Sequence, residues 1–455
     1  MRDADDVTPT VGQRPSLGGW RALLWLLASA AITFVLARAA ERWWVETRPE
    51  PPIRQSSAGE HDYPAAIAYL DRMIAGLKPL GAKRDDDWLM QERIAHQYMS
   101  RARLTGDFND YDQAQQALSK GFAMATPGTG PHLSQAALAL SLHRLGMASC
   151  MLDAVDAYAV RPEAEERAGM TAMRGDIALY RGKYAEALAQ YRKLSEDGER
   201  PDQRLAIFWS RMGRPDAAIA AVKRVERAGL VPGDALAQLA LLRGTIELQR
   251  GNWDAAEAAF AEADQRFPGW WLAGAYRAQM LALRGKTTKA RRAFEALAAR
   301  NGDPMLADAV ASLYRAQGDY ARTEQWAKRA GDGWAARLKL FPEAALGHAT
   351  EHELAFGVPA RALDLARRDF AFRPHGATAI ALGWALIANN RPAEALKLID
   401  KVNASSWQSA EQHLVAARAH ALLGDSAGVE AEQDKALAIN PKALDPNATV
   451  LWYGH

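Results

Sequence analysis

The sequence contains almost no cysteine and has no surplus of either charge. Its 455 residues include one cysteine, Cys150, so an internal disulfide and a paired-cysteine metal site are both excluded. The 56 Lys and Arg residues nearly balance the 54 Asp and Glu residues, which leaves a formal net charge of +2. General nucleic-acid binders normally carry a basic face or stripe. We therefore expect no nucleic-acid partner.

Sequence motifs typical of common enzyme classes are also missing. There is no glycine-rich phosphate loop and no G-x-S-x-G sequence. The string from His348 to His352 has the order H-x-x-E-H, with Glu351 inside it, and matches the inverted zinc-hydrolase signature. A catalytic zinc needs a third protein ligand, and none is evident in the sequence. We expect no catalytic residues, no metal and no cofactor, and keep a zinc-dependent hydrolase as an alternative.

An apolar run near the N-terminus is shorter than the ~20 residues of a usual membrane-spanning helix. Residues 22–37 are 16 uncharged residues bounded by Arg21 and Arg38. A helix of this length spans about 24 Å, and arginine side chains at its ends can reach the interface. We expect residues 20–44 to anchor the chain in a lipid bilayer. A cleaved signal peptide, ending near residues 37–39, and a buried helix are the alternatives.

The orientation of this anchor is not decided by charge, because three arginines precede the run and four follow it between residues 38 and 54. A short polar tail before the run is typical of exported proteins. We therefore expect a single-pass protein of a bacterial inner (cytoplasmic) membrane, with its C-terminal bulk in the periplasm. The predicted segments are a polar tail at 1–19, the anchor helix at 20–44, a proline-rich linker at 45–60, a helical region at 61–445 and a C-terminal tail at 446–455.

One glycine recurs along the chain between pairs of segments rich in alanine and leucine. The recurring positions are Gly182, Gly213, Gly251, Gly285, Gly318, Gly357 and Gly424, with Asn390 in the one remaining slot. Their intervals range from 31 to 39 residues, close to the 34-residue period of helix-turn-helix repeats. Gly106 and Gly146 mark weaker repeats upstream. The spacing predicts an all-α array, a kind of fold that binds partners rather than transforming them.

The unit from residue 234 to residue 268 shows the pattern most clearly. Gly251 separates a first helix from a second helix that is predicted to run from residue 253 to residue 266. Gly244 and Ala256 are small, so the two helices can approach closely, and Pro268 ends the second helix. Phe260 faces the neighbouring helix. The unit is therefore predicted to be a closely packed helical hairpin.

These residues resemble the tetratricopeptide repeat (TPR) family. The family's pattern of small, glycine, aromatic, alanine and proline positions falls on Gly244, Gly251, Trp253, Ala256, Phe260, Ala263 and Pro268. The resemblance covers about residues 61–445. It implies a right-handed superhelical solenoid of about ten helix-turn-helix repeats, preceded here by the one transmembrane helix.

The resemblance also implies a binding groove, because fixed positions on the first helix of each TPR line the concave surface. Carried over to this chain, the groove residues are Leu248, Gln279, Arg315, Glu351, Leu354, Trp384, Ile387, Leu414 and Arg418. The lysine and asparagine that the family uses to hold an acidic chain terminus do not occur at these positions. Trp384 is the expected anchor for a partner.

We therefore expect a membrane-tethered scaffold that binds a protein or peptide through its groove. The partner would be a subunit of a membrane or periplasmic complex, whose assembly the scaffold mediates. A secreted, soluble peptide-binding solenoid, released by signal cleavage, is the alternative.

Overall fold

The computed structural model describes residues 53–56, 60–84, 86–196 and 200–449, and these residues are mainly α-helical. The helices are α1 (Tyr63–Lys83), α2 (Trp88–Thr105), α3 (Phe108–Met124), α4 (His132–Ser141), α5 (Leu145–Asp156), α6 (Ala164–Tyr180), α7 (Tyr184–Glu196), α8 (Asp202–Arg211), α9 (Pro215–Glu226), α10 (Gly233–Gln249), α11 (Trp253–Arg266), α12 (Trp271–Leu283), α13 (Thr287–Ala298), α14 (Pro304–Ala316), α15 (Tyr320–Leu340), α16 (Pro342–Phe356), α17 (Pro359–Phe372), α18 (Gly376–Ala388), α19 (Pro392–Asn403), α20 (Ala410–Leu422) and α21 (Ser426–Ile439). Two short strands, β1 (Arg54–Gln55) and β2 (Leu230–Val231), pair in parallel, and Pro446–Thr449 forms a 3₁₀ turn.

Helix α1 packs against α2 but belongs to no hairpin, and the twenty helices after it form ten consecutive hairpins. Each helix packs chiefly against its neighbours in the chain, as expected for a repeat array. The predicted all-α array of hairpins is confirmed. Helix α11 has the bounds predicted for it. Its start is fixed by Asn252, whose side chain accepts a hydrogen bond from the Ala255 N–H.

Left-handed backbone at the hairpin turns explains the recurring glycine. Gly251, between α10 and α11, has φ 78°. Such an angle costs glycine little and suits asparagine better than most residues. Asn390 has φ 54° and occupies the equivalent turn between α18 and α19, as its place in the pattern predicts.

Two positions of the glycine pattern differ from expectation. Gly357 has φ −108°, so it lies outside the left-handed region, and the Glu353 carboxylate occupies the space where its Cβ would lie. Gly146 lies inside α5, and His143 takes the turn of that hairpin with φ 58°. The spacing therefore predicts this turn three residues too far along the chain.

Within a hairpin, small residues on one helix receive large residues from the other. Phe260 of α11 is fully buried, and a Cβ at Gly244 of α10 would overlap its ring. Ala256 and Ala263 are also fully buried along the same helix. The close approach predicted for this pair is present in the structure.

Regions far apart in the chain also meet, chiefly through turns, loops and helix ends. We call α6–α12 (residues 164–283) the early helices and α16–α21 (residues 342–439) the late helices. One continuous hydrophobic cluster contains Tyr191 and Phe208 from the early helices together with Ile399 and Val415 from the late helices. Because residues 191 to 224 positions apart share this core, the array is stabilised by more than contacts between neighbouring repeats.

Hydrogen bonds join the same two regions. The Gln408 N–H donates to the Arg211 carbonyl at 3.0 Å, and the Gly376 N–H donates to the Tyr184 hydroxyl at 3.0 Å. In both cases a residue at or beside an early hairpin turn contacts either the loop before a late helix or the first residue of that helix.

The predicted terminal segments fall partly within the described residues. In the linker, Ile53 packs against a hydrophobic cluster of the early helices, and β1 pairs with β2. In the C-terminal tail, Ala448 packs against the cluster that includes α12. The anchor at 20–44 and residues 450–455 lie outside the described residues. Among the helices that are described, none combines the length and apolar character needed to cross a membrane.

Candidate functional site: a cavity between early and late helices

A cavity of about 530 Å³ lies between the early and late helices, and we call it the central cavity. Three tryptophans, Trp253, Trp384 and Trp407, line it together with apolar residues that include Leu248 and Ile380. Cavities of about 300–1,000 Å³ with mainly apolar walls are typical of ligand-binding sites. The fold thus provides a binding space built from two distant parts of the chain.

Four of the nine predicted groove residues line the central cavity. Leu248 and Gln279 come from the early helices, and Glu351 and Trp384 come from the late helices. Trp384 is half-buried, and its indole N–H donates to a Glu411 carboxylate oxygen at 3.3 Å. The indole is therefore held in one orientation while part of it faces the cavity.

The other five predicted groove residues do not line this cavity. Leu354 and Ile387 are partly buried against the hydrophobic cluster shared by early and late helices, and Leu414 is half-buried. The Arg315 guanidinium is exposed and lies over the Phe356 ring, 4.6 Å from its centre. The remaining residue, Arg418, is exposed. These positions have the predicted spacing, but they lie outside the part of the surface that faces the central cavity.

Sequence reasoning missed two further cavity residues, Arg211 and Trp407. Arg211 ends α8, and Trp407 lies in the loop before α20, so neither has a groove position in the repeat pattern. The guanidinium of Arg211 lies over the Trp407 ring, 5.4 Å from its centre. The only sequence signal is for Trp407, a large aromatic residue that lies in the loop at residues 404–409 and not in a repeat helix.

A much smaller cavity of about 30 Å³ surrounds the H-x-x-E-H string in α16. His348 Nδ1 lies 3.0 Å from a Glu351 carboxylate oxygen, and His352 Nδ1 lies 2.6 Å from an Asp308 oxygen. The second Asp308 oxygen accepts a 2.7 Å hydrogen bond from the indole N–H of Trp334. Each imidazole therefore has its own carboxylate partner.

Burial and charge act in opposite directions in this cluster. Burial raises the pKa of the Asp308 carboxyl, although its hydrogen bond with His352 opposes that change. Burial lowers the pKa of His348, but the nearby Glu351 carboxylate outweighs it, so the pKa of His348 is raised overall. Across the described ranges, no group of three or more His, Cys, Asp or Glu side chains is arranged to hold a metal ion.

The chain was compared with known families, curated proteins and solved structures. No family model matches it, and no curated protein matches it. A tetratricopeptide repeat protein from Parabacteroides merdae is 17% identical, with 55% of this chain and 93% of that chain covered and a TM-score of 0.32. Yeast Tom70 is 13% identical, with 80% and 93% covered and a TM-score of 0.33. A human IFIT1 dimer with m7Gppp-AAAA is 13% identical, with 81% and 95% covered and a TM-score of 0.40.

These similarities are low, so the description of the fold as TPR-like rests on the helices themselves. The described residues form ten consecutive hairpins, and nine of these have a left-handed residue at the turn. Gly244, Ala256 and Phe260 occupy the close-packed positions that the family pattern assigns to them. The fold is an all-helical, TPR-like array.

Proposed function

We propose that this protein is a scaffold that binds a segment of a partner protein in the central cavity. The observation that carries the proposal is the cavity itself, with three tryptophans on walls contributed by the early and late helices. Aromatic side chains in desolvated pockets supply most of the binding energy of many protein interfaces. A bound segment would contact both sets of helices at once.

The geometry of Trp384 fits the role of an anchor. Its indole is held by Glu411 and packs against the shared hydrophobic cluster, so little side-chain freedom is lost when a partner binds. Ile380, one turn earlier on α18, lines the same wall. A partner that inserts an apolar side chain here would displace water from an already ordered surface.

We further propose that residues 20–44 tether the scaffold to a bacterial inner membrane, with the repeats in the periplasm and a subunit of a membrane complex as the partner. The support is the apolar run at 22–37 with an arginine at each end. The intact mass of the native protein distinguishes this proposal from a secreted, signal-cleaved solenoid.

The test is partner binding by the full-length protein and by its Trp384→Ala variant. Partners recovered from detergent-solubilised membranes are identified, and the affinity of each is then measured. We expect Trp384→Ala to weaken binding at least about tenfold, the factor that ~1.4 kcal/mol implies, while the helices remain folded.

Trp326→Ala is the matched control, because Trp326 is also half-buried but does not line the central cavity. Equal affinity for both variants would contradict the proposal. Binding by Trp384→Ala that declines only in proportion to its folded fraction would identify Trp384 as a core residue instead.

A further inference from the structure

One cation on the wall of the central cavity has no anionic partner among the residues that the structure describes. The guanidinium of Arg211 lies over the face of Trp407, and the phenols of Tyr180, Tyr184 and Tyr276 are close enough to influence its pKa. In the described part of the chain, no Asp or Glu side chain lies within ion-pair distance of Arg211. Burial accordingly lowers the pKa of Arg211.

The other two cations on this wall do have carboxylate partners. Arg250 forms an ion pair with Glu247 at 2.7 Å. Lys442 lies 3.9 Å from a carboxylate oxygen of Asp445. Arg211 is half-buried and, unlike the other two wall cations, has no carboxylate within ion-pair distance among the described residues.

A second donor near Arg211 is also unsatisfied. Trp407 is only 3% exposed, and its indole N–H has no acceptor among the described residues. A buried donor without a partner costs free energy, which an incoming acceptor recovers. Arginine in particular binds carboxylates through two parallel N–H···O bonds.

We propose that Arg211 binds the carboxylate of an Asp or Glu side chain on the partner segment, so that the central cavity selects an acidic residue flanked by apolar ones. The inference rests on the proposed function. It adds a charge requirement to the apolar contacts of Trp384 and Ile380. The groove positions lack the lysine and asparagine that the TPR family uses to hold an acidic chain terminus. Arg211 lies at the end of α8 and not at a groove position, so that lack does not weaken the proposal.

The experiment selects binders from a library of random twelve-residue peptides, each flanked by fixed sequence so that no free terminus is presented. The full-length protein is the target, in parallel with Arg211→Met, Trp384→Ala and the control Arg214→Met. Arg214 is an exposed cation three residues later whose guanidinium lies over Trp209, outside the cavity. We expect the unmodified protein and Arg214→Met to enrich the same peptides, which carry an Asp or Glu beside apolar residues.

An enriched peptide is then synthesised with its acidic residue and with the corresponding amide. We expect the amide to bind the unmodified protein at least tenfold more weakly. Arg211→Met should bind both peptides about equally, because the group that distinguishes them has been removed. Arg211→Lys, which keeps the charge, should retain part of the preference for the acid.

The outcomes separate the two proposals. If no peptide is enriched, or if enrichment is unaffected by Trp384→Ala, the proposed function fails. If peptides bind through Trp384 but show no acidic preference, or if acid and amide bind the unmodified protein equally, only the role of Arg211 is overturned. The comparison of acid with amide uses the unmodified protein, so it decides the question even if Arg211→Met does not fold.

Discussion

Two histidines illustrate how single residues respond to burial in this fold. His143 and His375 lie on either side of Tyr180, with ring centres 5.3 Å and 5.5 Å from the tyrosine ring. Burial, together with the charge of Arg373, lowers the pKa of His143 to about 3 and holds the pKa of His375 well below its usual value. Both imidazoles are therefore neutral at pH 7.

A pH prediction follows from the lowered pKa of His143. In the unfolded chain this histidine takes up a proton near pH 6.5, whereas in the folded protein it does so only near pH 3. Its contribution to stability is therefore complete above pH 6.5 and decreases as the pH falls below that value. Removing the group should make the free energy of unfolding less dependent on pH.

We expect His143→Asn to reduce this dependence between pH 6.5 and pH 4 by up to about 1.4 kcal/mol per pH unit. Asparagine suits the left-handed backbone at this position, so the turn itself is kept. Denaturant unfolding at several pH values measures the effect. The exposed His61 provides the control as His61→Asn, and identical slopes for both variants would contradict the prediction.

At the scale of elements, the hairpin turns have two structural roles. The positive-φ glycines at these turns allow left-handed backbone, but some also make room for a distant loop. A Cβ on Gly182 would overlap the carbonyl oxygen of Pro374, whereas a Cβ on Gly318 would meet nothing within 4 Å. The two glycines have nearly the same φ, 71° and 76°, so they differ mainly in this contact.

We therefore expect Gly182→Ala to destabilise the protein more than Gly318→Ala does. Both variants incur the backbone strain of a left-handed alanine, roughly 1–2 kcal/mol. Only Gly182→Ala must also displace the loop before α18. Thermal and denaturant unfolding of the two variants gives the difference directly, and equal destabilisation would mean that the contact between turn and loop contributes nothing.

This pair of glycines also shows how far the sequence can predict the elements. Both fit the same spacing, so the pattern correctly predicts a hairpin turn at each. Nothing in the pattern distinguishes the glycine that contacts a late loop from the one that faces solvent. The partner, Pro374, lies 192 residues further along the chain, and a period of about 34 residues carries no information about such a contact.

The same limit applies to the candidate site. Leu248, Gln279, Glu351 and Trp384 were predicted because groove positions recur within each repeat, and they meet in the central cavity. Arg211 and Trp407 come from the end of a helix and from a loop, and only the contact between early helix ends and late loops brings them to the wall. Periodicity finds the first kind of residue and misses the second.

At the scale of the whole molecule, the helical array and the N-terminal segment have separate roles. The described residues contain the complete run of ten hairpins and no helix able to cross a membrane, whereas the anchor is predicted at 20–44. We expect a variant lacking residues 1–44 to be soluble and to retain its helices. Membrane fractionation and circular dichroism check this outcome. Native protein that begins near Ala40 and washes off membranes would contradict membrane anchoring.

The central claim is that a partner segment occupies the space between the early and late helices. It is tested most directly by site-specific photo-crosslinking in the full-length protein. A photoreactive side chain replaces Ala381, which lines the central cavity on α18, or Ala388, which is exposed on the same helix and outside the cavity. We predict that the partner crosslinks at position 381 and not at position 388. Crosslinking at position 388 alone would show that the partner binds elsewhere.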